Sequence, residues 1–375
     1  MLIEGGGITE SFKQSRPFIE DIMDGMFDWV RVLDTHDNVI YMNKAMKDSL
    51  GSDLIGSKCY HIIGRSEPCA NCISRQAVFD GACHEKEEYI HDRVFSVMSS
   101  PVRNEEGKVI AAVEVLRETT QLKQLYQEMQ VQNDQFRLEL EMARKLQASL
   151  LPGPITDPRI DFSFIYMPCE SLGGDFLDIF KIDDSRIGLY IADVSGHGVP
   201  ASLLTVFLRS TLDKKQSSPA KALEALYHEF NQSKLDEELY ITIFYAIVDL
   251  DHKTMVYSNA GLNCIPLVYS SNRFDLLRLP GIPISNWTDR PEYVDGTATL
   301  QSGDKLFLYS DGILEMKNKD GEQYGEERLL EIMMNDRLKP KQLLLNIKKS
   351  AFQFAGIRSS RQLQDDVTMA LLEIK

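Results

Sequence analysis

Little in this chain of 375 residues suits a membrane or a secretory route. Its longest apolar stretch, Tyr240 to Leu250, falls well short of the ~20 residues that cross a bilayer. The opening MLIEGGGITESFK has no signal-peptide core, so a cytoplasmic location is expected. Basic residues are outnumbered, 41 Lys and Arg against 56 Asp and Glu, for a formal net charge of −15. Without clustered cations there is little to neutralise phosphates, which argues against nucleic acid as a partner and is compatible with cation binding. Cysteine is limited to six residues, with Cys59, Cys69, Cys72 and Cys83 close together and Cys169 and Cys264 isolated. In a chain without a secretion signal such a group points to core packing, redox chemistry or metal binding rather than to a disulfide framework. Internal repeats and low-complexity tracts are missing too.

What is present is a globular composition, 43% hydrophobic and 26% charged, in a length that calls for two domains and a connector. From about Gly25 to Glu118 the pairs FDWVRVLDTHDNVIYMN and RVFSVMSSPVRNEEGKVIAAVEVL read as strands joined by polar turns, with helical NKAMKDSLG and SRQAVFDGA between them. This predicts an α+β domain of about a hundred residues.

From Thr119 to Leu151 there is no Gly or Pro. Leu122, Leu125, Met129, Gln132 and Phe136, then Leu140, Ala143, Gln147 and Leu150, recur at spacings of three and four. The pattern predicts a long helix with a heptad-like seam and a stutter at Phe136. Either the same helix of a second chain, giving a coiled-coil homodimer, or the helix's own domain covers that seam. Pro152, Gly153 and Pro154 end it.

From Ile160 onward, strand-like DFSFIYM, DFLDIFKI, RIGLYIADV, ELYITIFYAIVDL, TMVYSNAG, CIPLVYS, FDLLRLP, DKLFLYSDG and VTMALLEI alternate with four helical segments. Short turns between strands favour packed antiparallel sheets covered by helices over a parallel array. Within this region Asp175, Asp193, Asp311 and the pair Asp365 and Asp366 each stand where an apolar strand meets a Gly-rich or polar turn. Sheet stacking would gather them at one edge, where carboxylates repel unless a cation offsets them. Hard oxygen donors without Cys or paired His point to Mg²⁺ or Mn²⁺ rather than Zn²⁺.

GGDFLDIF, IADVSGHGVPASLLT, YSDGILEMKN with YGEERL, and QDDVTMALLEI follow one another in the order and spacing of a known family. From about Met142 to Lys375 the chain resembles the bacterial branch of the PPM-type (type 2C) metal-dependent serine/threonine phosphatases, the branch that controls stress and sporulation sigma factors. The resemblance implies a C-terminal αββα sandwich, two antiparallel sheets flanked by helices. It also implies Asp175, Asp193, Asp311 and Asp365 as side-chain ligands of two ions, with Val194 giving its backbone carbonyl. Asp366 stands next to Asp365 and competes with it for that assignment. Two such ions activate a water for in-line attack on phosphorus, so no protein nucleophile is needed. Gly173, Gly174, Gly196 and Gly198 leave the backbone free to bend and approach closely. The implied substrate is a phosphoserine or phosphothreonine on an anti-sigma-factor antagonist of the STAS fold. A catalytically weak phosphoprotein-binding module of the same fold is the alternative. A nucleotide cyclase, suggested by Gly173-Gly174-Asp175-Phe176, is a third reading.

HDNVIYMNKAM, RVFSVMSSPV and VLRETT likewise resemble a PAS sensory domain, an N-terminal α/β sensor. The expected division is an N-terminal segment 1–16, sensor 17–118, helical linker 119–153 and catalytic domain 154–375. Cys59, Cys69, Cys72 and Cys83 are candidate metal or redox residues of the sensor, with His61 and His84 nearby. CYHIIGRS, Cys59 to Ser66, matches the C-x5-R-S pattern of cysteine-dependent phosphatases, but its bulky residues oppose a phosphate-wrapping loop. Ser195 lacks a nucleophile elbow. His197 is open between general acid, ligand and a structural hydrogen bond, with the last preferred.

Overall fold

Apolar residues in the first hundred positions alternate along strands, so one face of a sheet is buried by pattern alone. The computed structural model describes residues 16–50, 54–236, 238–288, 291–333 and 338–375, so nearly all of the expected segment 1–16 lies outside the described residues. The chain divides into two compact units, Met1–Gln135 and Phe136–Lys375.

The first unit contains helix α1 (Arg16–Asp24), β1 (Trp29–Asp34), β2 (Val39–Met42), α2 (Lys44–Leu50), α3 (Cys59–Ile62), α4 (Ile73–Asp80), β3 (His84–Ile90), β4 (Arg93–Arg103) and β5 (Val109–Glu118). Its sheet runs β2-β1-β5-β4-β3, and every neighbouring pair is antiparallel. Trp29, Leu33, Met42, Phe95 and Leu116 pack with Met46, Ile62 and Ile73 from the helices. The register sets Arg31 opposite Glu114, where they form a buried ion pair of 2.6 Å. Strand β3 has no counterpart in the sequence reading: HEKEEYI is charged and carries little apolar alternation. It sits at the sheet edge, where charges discourage further strand pairing.

One helix, α5, spans Thr120–Leu150. Its expected seam divides at the stutter. Leu122, Leu125, Met129 and Phe136 are exposed, whereas Leu140, Ala143 and Leu150 are half-buried and Gln147 is buried. The second half thus has its own unit as partner, and Leu150 joins an apolar cluster there.

The second unit holds β6 (Ile160–Met167), β7 (Phe176–Lys181), β8 (Arg186–Val194), α6 (Gly198–Thr211), α7 (Pro219–Gln232), β9 (Ile241–Asp249), β10 (Thr254–Ala260), β11 (Leu267–Ser270), β12 (Arg273–Leu276), β13 (Gly296–Thr299), β14 (Lys305–Tyr309), α8 (Gly325–Met333), α9 (Pro340–Ala355) and β15 (Val367–Ile374). Two antiparallel five-stranded sheets form, β13-β10-β9-β8-β7 and β12-β11-β14-β15-β6. Leu189, Ile191, Phe244 and Val248 of the first meet Val268, Leu306, Leu308 and Leu372 of the second in one core. Tyr190 and Tyr245 on the outer face of the first pack with Leu204, Leu208, Leu223 and Phe230 of α6 and α7. Phe307, Met369 and Leu371 of the second pack with Leu329, Leu343 and Ile347 of α8 and α9. Burial on both faces explains why β8 and β9 read as near-continuous apolar runs. The strand expected in FDLLRLP stops at Leu276, and the short edge strand β13 was not expected. Among the described residues no helix is long and apolar enough to cross a membrane.

Candidate metal centre

Strand register, more than any local motif, assembles the acidic edge. In the first sheet Phe176 pairs with Ala192, so Asp175 and Asp193 occupy the next step of the same hairpin end. In the second sheet Tyr309 pairs with Met369, which brings Asp311, Asp365 and Asp366 to one end of β14 and β15. Two side chains tie these ends together. Ser310 Oγ donates to Asp175 Oδ2 at 2.6 Å. Asp366 accepts from the Cys169 N–H at 2.7 Å, the Gly174 N–H at 2.5 Å and the Asp175 N–H at 3.2 Å.

These bonds separate Asp365 from Asp366. Asp366 is buried and its two oxygens serve the 169–175 backbone, whereas Asp365 is exposed at the edge. The close approach also requires glycine: a Cβ on Gly174 would lie 2.9 Å from the Val194 carbonyl oxygen, and one on Gly312 2.0 Å from that of Asp366.

Electrostatics at this edge runs against the carboxylates. Burial, then the charge of Asp193, holds Asp175 well above the ordinary carboxylate range. Asp193 is raised by burial and by Asp311, Asp365 and Asp366; Asp365 is raised by burial and by Asp311. Like charges gathered in a poorly solvated place favour a cation among them, and an all-oxygen donor set suits Mg²⁺ or Mn²⁺. Among the described residues no group of three or more His, Cys, Asp or Glu side chains is already arranged to hold a metal ion. An open edge is compatible with hard ions that keep several waters and take one or two carboxylates.

The family described as Stage II sporulation protein E (SpoIIE) matches residues 183–375, just over half of the chain. The chain belongs to the SpoIIE family. Asp193, Asp311 and Asp365 fall inside the matched stretch and Asp175 just before it. The PAS fold matches residues 23–124. Over 183 residues this SpoIIE-family chain is 30% identical to phosphoserine phosphatase RsbP of Bacillus subtilis (strain 168), covering 47% of this chain and 45% of that one. Phosphoserine phosphatase RsbU of the same organism is 28% identical over 246 residues, 63% of this chain and 70% of its own. The chain therefore spans less than half the length of RsbP. Among solved structures, the SiaA-PP2C domain of Pseudomonas aeruginosa shares the fold, with a TM-score of 0.56 at 17% identity over 65% of this chain and 98% of that one.

Sequence reasoning gave Gln147 no role beyond the helix seam. Its side chain clasps Gly173, donating to the carbonyl at 2.8 Å and accepting from the N–H at 3.2 Å. It also donates to Thr205 Oγ1 at 3.3 Å and accepts from the Tyr166 hydroxyl at 3.3 Å. The end of α5 thereby holds the loop that carries Asp175. The available signal was a glutamine in the stripe Ala143, Gln147, Leu150. Glu170 was missed as well; His197 Nδ1 lies 3.0 Å from its Oε1, with both side chains largely exposed.

Ser195 and Cys59 occupy structural positions. Ser195 Oγ accepts from the Tyr240 N–H at 2.9 Å, so it braces a strand end. Cys59 opens the short helix α3 rather than a phosphate loop, and burial pushes its thiol up to about 12. Cys59, Cys69 and Cys72 line one cavity of 20 Å³, whereas Cys83 lies outside it, 3.2 Å from Ser100 Oγ. His84 pairs with Asp80 at 2.8 Å.

Proposed function

We propose that the chain is a metal-dependent protein serine/threonine phosphatase regulated by its N-terminal PAS-fold unit. The observation that carries this reading is the convergence of Asp175, Asp193, Asp311 and Asp365, while Asp366 and Ser310 meet the structural needs of the same edge. Those four aspartates and the Val194 carbonyl would hold two Mn²⁺ or Mg²⁺ ions. Bound there, the ions would activate a water for in-line attack and offset charge on the phosphoryl oxygens. Ser310 fixes one oxygen of Asp175, and Asp366 fixes the backbone on which Asp175 sits. A cleft of 170 Å³ lined by Gly312, Glu315, Lys317, Gln364 and Asp365 offers room for the polypeptide beside the phosphorylated residue.

The relatives named phosphoserine phosphatases support a phosphoserine or phosphothreonine substrate. In the sigma-factor branch we assign it to a STAS-fold anti-sigma-factor antagonist. The working division is sensor 17–118, linker 119–153 and catalytic domain 154–375. The exposed stripe Leu122, Leu125, Met129 and Phe136 supports a homodimer paired through the linker. A change in that pairing would reach Asp175 through Gln147 and Gly173.

The deciding experiment is turnover of a generic aryl phosphate and of a phosphorylated STAS-fold protein by the full chain with Mn²⁺. Activity should vanish with a chelator and in Asp311→Ala. Persistence in either case overturns the metal assignment, and binding of the phosphoprotein without turnover selects the binding-module alternative.

A further inference from the structure

The cysteine group belongs to the N-terminal unit and is not used by the proposed hydrolysis. Ala70 and Asn71 form a turn that joins Cys69 to Cys72. Cys72 is then the N-cap of α4. A four-residue turn brings its end Cα atoms within about 7 Å, and a disulfide needs roughly 4.4–6.8 Å. The spacing of the pair is compatible with a disulfide.

The sulfurs also differ in what faces them. Arg65 Nη1 donates to Cys69 Sγ at 3.1 Å, so a cationic donor faces this sulfur. The same guanidinium is anchored by the buried Glu88. Cys59 shares their cavity, but burial pushes its thiol up to about 12, so it stays protonated. A cavity of 20 Å³ holds about one water, too little for an organic ligand.

We propose that Cys69 and Cys72 are a dithiol pair oxidised by hydroperoxides to a disulfide, with Cys69 attacking first. The Cys69 thiolate attacks one oxygen of hydrogen peroxide, the O–O bond breaks, and the departing hydroxide takes a proton to become water. The Cys72 thiolate then attacks the sulfenic sulfur of Cys69. The S–S bond forms, the S–O bond breaks, and the second hydroxide leaves as water after protonation. Two thiols are oxidised by two electrons and one peroxide is reduced to two waters. Arg65 is a positioning residue for the first step.

The test is graded hydrogen peroxide on the full chain, followed by alkylation of free thiols and peptide mass spectrometry. A Cys69–Cys72 peptide lighter by two hydrogens should form while the exposed Cys83 is still alkylated. Cys72→Ser should stop at a Cys69 sulfenic acid that a dimedone probe traps. Arg65→Gln, which removes the cationic donor from the Cys69 sulfur, should slow oxidation about tenfold, and Arg65→Lys should restore most of the rate. Oxidation of Cys83 ahead of the pair, absence of the linked peptide, or an unchanged rate in Arg65→Gln would each overturn the proposal.

Discussion

In the N-terminal unit the buried carboxylates have cations against them: Arg31 on Glu114, Arg65 and Lys86 on Glu88, Arg75 on Asp37. At the edge of the C-terminal sandwich the neighbours that raise Asp193 are further carboxylates. Elsewhere in that sandwich the ordinary solution returns, with Lys214 on the buried Asp178 at 2.6 Å. A buried charge with its partner is architecture, whereas like charges gathered without one mark a place where folding has left work for a ligand.

The largest effect expected from breaking this contrast is at Asp193. Asp193→Asn should lower phosphoester turnover by about a thousandfold or more. The same change removes a like charge, so the melting temperature of the chelated protein should rise. Turnover and calorimetry on one preparation test both, and a fall in both would make Asp193 a structural residue. Next is Arg31→Met, which strands Glu114 in the sheet and should cost about 3–5 kcal/mol in a denaturant melt of the N-terminal unit. Adding Glu114→Leu should recover most of that loss; if the double variant is no better, the pair is not the cause.

Smaller changes sharpen the comparison. Ser310→Ala should weaken Mn²⁺ about tenfold by releasing one oxygen of Asp175, and should lower the melting temperature because the buried Thr368 N–H loses its acceptor, as a metal titration of turnover and a thermal melt would read. The smallest effect belongs to a half-buried pair. Hydrogen bonds from Arg159 hold Asp157 at about 2, below its unfolded value near 4. Its contribution is therefore present above pH ~4 and lost as pH falls through ~2. Melts of Asp157→Asn against the parent at pH 5 and pH 2 should differ at the first and converge at the second.

The acidic edge was legible because each aspartate ends a strand that apolar residues announce, and a strand end is a local property. The edge strand β3 was not, because HEKEEYI hides its few buried positions among charges. The choice between Asp365 and Asp366 was not local either: Asp366 is identified by its bond to the Cys169 N–H, 197 positions away. Gln147 read as a neutral seam position until Gly173 was placed against it. The four clustered cysteines look equivalent in sequence, yet only Cys59, Cys69 and Cys72 meet at one cavity.

By itself the sequence determined the elements and their chemistry: a long helix without breakers, strands that alternate or run apolar, and oxygen donors at strand ends with glycines beside them. Hydrophobic period and turn chemistry act over a few residues, so they survive without a fold. Only the tertiary structure decided which donor faces the edge and which is consumed in holding it, and which half of the helix seam is covered. Those outcomes depend on hydrogen bonds and burial between segments far apart in the chain, and nothing in either segment alone encodes the other's position.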